Sequence, residues 1–301
     1  SDARVLIELR RAATEERADA VVIGVPVALG APGLADAARA AALPLLFTLP
    51  VPEPVATAGG RWLFALAPTP EQLARAAADV PGGESLISTF VLVPDGRSQD
   101  DETATLLLEY ARRAGTPPAA ISVDRARADE QRTAARITGG ARRVHLAGAP
   151  RDWSAFAQAF KQSARPLATR LVLSYLTEPA DLGELRDGLD AVWPAPLGLT
   201  SAVPGSATAA RRQFLQAYSD RHGPPTAHAA AAYDALTLLL QAAERSGADD
   251  RERLREQLET VTFTGAATTY AFSVTRHAGY AGDDLVLYRW NGSAAVPDAR
   301  R

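Results

Sequence analysis

The sequence predicts an α/β fold in two lobes, and three observations carry that expectation. First, Ala20–Ile23, Leu34–Ala42 and Leu43–Phe47 read as strand, helix, strand, with Gly30–Gly33 opening the helix. Both strands are short apolar runs, the texture of strands buried on both faces. A parallel pair joined by a helix crosses over right-handed. Second, this pattern breaks at Val80-Pro81-Gly82-Gly83 and restarts at Thr89. Third, 301 residues exceed what one hydrophobic core ordinarily gathers.

The elements follow in order. Ser1-Asp2 can cap a helix to about Arg17, with Val5, Leu6 and Leu9 set against Arg4, Glu8 and Arg11. An α/β lobe usually opens on a strand, so a leading helix suggests elements missing upstream. After Phe47 the stretch Thr48–Pro54 is too proline-rich for a central strand. Arg61–Leu66 is a short strand. Thr69 at the N-cap, Pro70 at the first position and Gln72 at the reciprocal capping position open a helix.

The second array begins with a strand at Thr89–Val93, followed by a helix over Asp101–Ala114 with Leu106, Leu107 and Tyr110 inward. Ala120–Val123, Arg143–Ala147 and Leu171–Tyr175 read as further strands; Arg125–Ile137, Asp152–Lys161 and Pro179–Leu189 read as helices. Ala191-Val192-Trp193 starts an extended, proline-broken segment to Leu199. From Ala207 three helices follow, Ala209–Arg221, Ala227–Arg245 and Arg251–Thr260. The tail carries strands near Thr268–Phe272 and Asp284–Trp290, with a turn at Asn291-Gly292, a strong hairpin signal.

Composition excludes several functions. Net charge is −3, which gives no electrostatic case for nucleic acid or an anionic membrane. Lys161 is the only lysine, so the arginine content reads as base composition, not phosphate recognition. There is no cysteine, which excludes thiol catalysis, disulfides and cysteine-ligated metal. No apolar run is long enough to span a bilayer, and no signal peptide is readable. No cofactor motif is present: Gly24–Gly33 lacks the glycine spacings of nucleotide loops. It reads first as a tight βα turn and second as an anion-binding loop. No nucleophile elbow, metal cluster or close acid–base pair is readable, so an enzyme is not expected.

The order of parts resembles a known family. Ala20–Gly24 with Leu43–Leu46, Trp62–Thr69, Val144–Gly148, Phe214–Tyr218, Arg221–Pro225, Ala232–Ala235 and Phe263–Gly265 through Leu285–Tyr288 carry the resemblance. Together they are similar, in colinear order, to the type I periplasmic binding proteins. The branch is the branched-chain amino acid (Leu/Ile/Val-type) substrate-binding family of ABC transporters.

That resemblance implies two doubly wound parallel-sheet lobes joined by three hinge crossovers, near Ala67–Ser85, Ala195–Ala202 and Ser273–Gly282. Lobe 1 would take residues 1–84 and 202–274, lobe 2 residues 85–201 and 275–301. Ligand would bind between the lobes, which close on it by a hinge motion. An amino acid carboxylate would meet backbone N–H groups at a helix N-terminus. The implied partners are an amino acid-like small molecule and an ABC transporter membrane permease. The implied location is extracytoplasmic, with a lipid anchor in the full-length protein.

The sequence departs from the family pattern in two respects. The opening strand, helix and strand of lobe 1 have no counterpart here, so a missing amino-terminal segment or a second chain would complete that lobe. The polar ligand loops are also eroded. Pro26-Val27-Ala28-Leu29-Gly30 carries no hydroxyl, Phe47–Val51 keeps only Thr48, and Arg97-Ser98 stand where a tyrosine is expected. An apolar or larger ligand, or no ligand, fits these loops better. The expected ligand-binding residues are Gly30, Ala31, Thr48, Ser98, Tyr175 and Glu178, the last two at the carboxyl end of a lobe 2 strand.

Other features have plainer readings. His145 reads as a core or edge histidine; His222, His228 and His277 sit in helix ends or turns. Trp153, Phe156 and Phe160 read as core. The leading function is a solute receptor feeding an ABC importer; the alternative is a degenerate module of a signalling protein used for sensing or protein contact.

Overall fold

The computed structural model describes residues 2–25, 32–51, 61–78, 89–94, 104–109, 119–124, 126–163, 169–178, 182–196, 208–223, 225–247, 250–281 and 284–298. The chain divides into two compact units, Ser1–Pro70 with Gly205–Asp284, and Glu71–Pro204 with Leu285–Arg301. The sequence placed these boundaries after residues 84, 201 and 274. The helix Pro70–Ala78 therefore lies almost wholly in the second unit, where Ala74 and Ala77 pack with Val172 and Val192.

In the first unit, β1 (Val21–Ile23), β2 (Leu45–Phe47) and β3 (Leu63–Ala65) form a parallel sheet in that order. Val21 stands beside Leu45, and Leu45 beside Leu63. β2 and β3 are buried throughout, which explains their unbroken apolar sequences. Helices Asp2–Thr14 and Pro32–Ala41 bring Leu9, Leu34 and Ala38 into one cluster with Ile23, Leu45 and Leu63. Residues 277–279 extend the sheet past β3: the Ala65 N–H donates to the His277 carbonyl (2.8 Å), and the Gly279 N–H to the Ala65 carbonyl (3.0 Å).

Three helices follow, each with a side-chain cap. Thr208 caps Ala209–His222, Thr226 caps Ala227–Ser246, and Asp250 caps Arg251–Thr260. An antiparallel hairpin of β9 (Thr262–Thr264) and β10 (Thr269–Ala271) comes next.

The second unit holds a seven-stranded sheet, order β12-β11-β8-β7-β6-β4-β5 among the described residues. Its strands are β4 (Thr89–Pro94), β5 (Ala119–Val123), β6 (Arg143–Leu146), β7 (Arg170–Leu173), β8 (Asp190–Pro196), β11 (Leu285–Trp290) and β12 (Ala295–Pro297). β4 to β8 run parallel; β11 is antiparallel to both β8 and β12. The predicted hairpin forms with a four-residue loop, since Trp290 pairs with Ala295. The Asn291 side chain accepts from the N–H groups of Ser293 (3.0 Å) and Ala294 (2.9 Å).

One predicted helix is corrected. Of Pro179–Leu189, the described part holds only a 3₁₀ turn at Gly183–Leu185. Gly183 and Gly188 have φ of 42° and 73°, a left-handed backbone that ends any regular helix there. The proline-broken segment after it is a true strand. β7 pairs with β8 only as far as Val192, so Pro194 and Pro196 lie beyond that ladder and their missing N–H groups cost β7 nothing.

Two layers cover this sheet. Val144, Leu146, Leu171 and Leu173 join a cluster with Trp153, Phe156 and Phe160, all three of which are fully buried. The bland reading of those aromatics as core is correct. Val172, Val192 and Ala147 belong to a separate cluster with the helix Pro70–Ala78 and the helical residues 104–109.

Candidate functional site

Strand alternation sets the site. In β6 the sequence Arg-Val-His-Leu is buried at every position. Val144 and Leu146 fill the aromatic core, so His145 points to the opposite face, in register with Val172 and, through it, Val192. The end of β6 is fixed by Trp153, whose indole N–H donates to the Ala147 carbonyl at 2.9 Å. Gln131 in turn holds the helix that carries those aromatics: its Nε2 donates to the Asp152 carbonyl (2.8 Å) and its Oε1 accepts from the Phe156 N–H (3.0 Å).

On the His145 face lies a cavity of about 40 Å³, at the carboxyl ends of β6 and β7 and partway along β8. Leu73 and Ala77 line it from one helix, Ala104 and Leu107 from residues 104–109. The sheet contributes His145, Ala147, Val172, Ser174, Tyr175 and Pro194 among others. His145 is 5 % exposed, and its Nε2 has no hydrogen-bond partner among the described residues. Burial, with the Arg143 charge as a smaller cause, pushes its pKa down to about 3, so the ring is neutral. The Ser174 hydroxyl accepts from the Leu176 N–H at 2.9 Å, and the Thr177 N–H donates to the Ser174 carbonyl at 3.1 Å, which closes a tight turn after β7.

The structure brings only part of the expected set to this place. Tyr175 lines the cavity and is 2 % exposed. Glu178, three residues on, is half-buried and does not line it. Thr48 lies in the first unit at the carboxyl end of β2, buried, with its hydroxyl donating to the Ile23 carbonyl at 3.3 Å. Gly30, Ala31 and Ser98 lie outside the described residues.

His145 is the residue that plain reading passed over. It is buried as expected, but without the partner a core histidine normally has. The available signal was a polar residue inside a strand with both faces covered. His277, read from the sequence as a helix-end or turn residue, is buried. Its Nδ1 lies 2.9 Å from the Leu63 carbonyl, so that nitrogen carries the proton. Its Nε2 lies 3.2 Å from Glu259, itself paired with Arg255, and its ring stacks on Phe64 at 4.4 Å. Burial lowers its pKa, outweighing the Leu63 carbonyl and Glu259, which raise it. His277 therefore secures the segment that extends β3.

Among the described residues no cluster of three His, Asp or Glu could hold a metal ion. None of their helices is long and apolar enough to cross a membrane.

Comparison with known proteins fits this architecture. A family model described as periplasmic binding protein matches residues 1–295, and the chain belongs to that family, with its type I fold. A leucine-binding protein, LivK, from Thermotoga maritima is 15 % identical with a TM-score of 0.77, the match covering 99 % of this chain and 84 % of that one. The branched-chain amino acid transporter substrate-binding protein LivJ from Streptococcus pneumoniae, solved with isoleucine, is 16 % identical with a TM-score of 0.73, covering 99 % and 85 %. An ABC transporter substrate-binding protein from Desulfitobacterium hafniense, solved with leucine, is 19 % identical with a TM-score of 0.73, covering 99 % and 85 %. A search of curated proteins gave no significant match. The family is one of solute-binding proteins, which implies an extracytoplasmic location.

Proposed function

We propose that the protein is the solute receptor of an ABC importer, that it binds an amino acid or a related small carboxylate or amide, and that it delivers this ligand to a membrane permease. A lipid anchor would hold it at the cell surface. The observation that supports this reading is the apolar cavity at the carboxyl ends of β6 and β7, where ligands bind in open parallel sheets. Family membership and the leucine- and isoleucine-bound relatives support the amino acid class. Tyr175, at the cavity wall, and Glu178, just beyond it, are the proposed ligand contacts in this unit.

A thermal-shift screen of the whole chain against amino acids, small carboxylates, amides and aromatic acids tests the reading. Binding to the folded form alone raises the melting point, by about 2.7 kcal/mol of stabilisation at a hundredfold excess over Kd. An amino acid or amide hit is expected, weakened in Tyr175→Phe and Glu178→Gln. Phenylalanine is the proper probe at 175, because the side chain is buried and alanine would leave a void. No shift with any compound would overturn the receptor reading in favour of a sensing or protein-contact module.

A further inference from the structure

We propose that Asn291 is a self-modification site: the Gly292 nitrogen attacks its side-chain amide, and the turn of the β11–β12 hairpin assists the attack. This chemistry is independent of what the receptor binds.

Asn291 is the only asparagine in the sequence, and a glycine follows it. Residues 291–294 are exposed. The Asn291 side-chain oxygen accepts three hydrogen bonds, from the Ser293 N–H (3.0 Å), the Ser293 hydroxyl (3.1 Å) and the Ala294 N–H (2.9 Å). Three donors on one carbonyl oxygen draw electrons from Cγ, and they stand where a developing oxyanion is stabilised. An oxygen bonded to the N–H two residues on also folds the side chain over the intervening nitrogen, that of Gly292. The Gly292 N–H has no hydrogen-bond partner among the described residues, so no acceptor there holds its proton. Gly292 has no Cβ to shield that nitrogen, and its φ of 101° is one that other residues rarely adopt.

The reaction balances with water alone. The Gly292 nitrogen gives its proton to solvent base and bonds to Cγ. The Cγ–Nδ2 bond breaks, and ammonia leaves with a proton. The five-membered imide then takes up water. Opening at Cγ gives aspartate. Opening at the Asn291 main-chain carbonyl gives isoaspartate, which puts a methylene into the backbone. Nothing is oxidised or reduced. The insertion falls directly after Trp290, which pairs with Ala295 at the start of β12. Beyond β12, Asp298 is paired with Arg170 of β7 at 2.9 Å. Isoaspartate therefore loosens β12 from the sheet of the second unit.

Incubation of the whole protein at neutral pH, followed by peptide mass mapping, isoaspartate assay and ammonia release, tests the proposal. Wild type should convert at position 291, faster as pH rises, and faster folded than unfolded in urea. Ser293→Ala keeps both N–H donors and loses the hydroxyl, so it should convert about two- to tenfold more slowly. Ser293→Thr keeps the hydroxyl and should hold the wild-type rate. Asn291→Gln, whose imide would need a six-membered ring, should stay unmodified over the same period. The isoaspartate form should melt below fresh wild type, while freshly prepared Asn291→Asp, which keeps the acceptor oxygen and the normal backbone, should melt with it. No conversion in the folded protein would overturn the proposal. A folded rate below the unfolded one, or an unchanged rate in Ser293→Ala, would overturn it equally, since the turn would then give no assistance.

Discussion

Asp234 in the first unit and His145 in the second are both buried titratable groups with a shifted pKa, and the two are treated in opposite ways. In the first unit Asp234, fully buried on the helix Ala227–Ser246, is saturated. Its carboxylate accepts the N–H groups of Ala266 (2.6 Å) and Ala267 (2.8 Å) and the Tyr270 hydroxyl (3.0 Å). Arg211, also buried, donates to the carbonyls of the same two alanines at 2.6 and 2.8 Å. Two helices are thereby clamped to the turn of the β9–β10 hairpin, and that turn needs a glycine. A Cβ on Gly265 would come within 2.4 Å of the Asp234 carboxyl. In the second unit His145 is buried too, but its Nε2 has no hydrogen-bond partner among the described residues. A buried polar group with every partner supplied is architecture. One left unpaired is a desolvation cost that the fold carries.

Breaking the saturated side should cost most. Asp234→Ala would take the acceptor from the buried N–H groups of Ala266 and Ala267, a loss of about 3–5 kcal/mol in urea unfolding. Gly265→Ala presses a methyl on the same carboxyl and should cost about 1–3 kcal/mol. A loss under about 1 kcal/mol in both would mean the clamp is not structural and the contrast fails.

The two groups also respond oppositely to pH. Burial raises the Asp234 pKa from 3.8 to about 6, against the lowering effect of its hydrogen bonds and Arg211. The folded state then binds a proton more tightly than the unfolded one, so stability is fully present below about pH 4 and is lost as pH rises through 6. His145 is the reverse: with its pKa depressed from 6.5 to about 3, its stability is present above 6.5 and is lost as pH falls towards 3. Each slope is on the order of 1 kcal/mol per pH unit, and in the overlap they oppose each other. Asp234→Asn should therefore make stability climb more steeply between pH 4 and 6. His145→Leu should make it decline there. Parallel curves for both variants would show that neither group titrates as its burial requires.

The strands of the first sheet were legible because each is an apolar run bounded by polar or proline-rich sequence, and a strand covered on both faces writes itself that way. The late helices were legible from their caps and breakers: Arg251–Thr260 has the predicted bounds. Pro179–Leu189 misled because its apolar spacing is helical while Gly183 and Gly188 hold left-handed backbone that composition does not reveal. The site was legible in direction only. Tyr175 followed from the end of a strand. Its neighbours did not: Leu73 and Leu107 reach the cavity from helices far off in sequence, and Asp234 meets Ala266 only through tertiary packing. The Ala-Tyr-Asp-Ala stretch was visible as a family feature, but its acceptor role needed the hairpin turn beside it.

His145→Leu on its own should stabilise the empty protein by about 1 kcal/mol at pH 7, since it removes a desolvated, unpaired nitrogen and keeps the apolar contacts. A gain in melting temperature would show that the unpaired nitrogen costs the folded protein stability. A fall in melting temperature would place His145 with Asp234 on the architectural side.

The smallest effect falls on Ser174, which stands between the two cases. Its oxygen accepts from the Leu176 N–H, as an architectural group does, yet it lines the cavity and has no acceptor for its own proton among the described residues. Ser174→Ala removes one partly buried hydrogen bond and should cost about 0.5–1.5 kcal/mol. An unchanged melting temperature would show that the turn after β7 does not depend on this hydrogen bond.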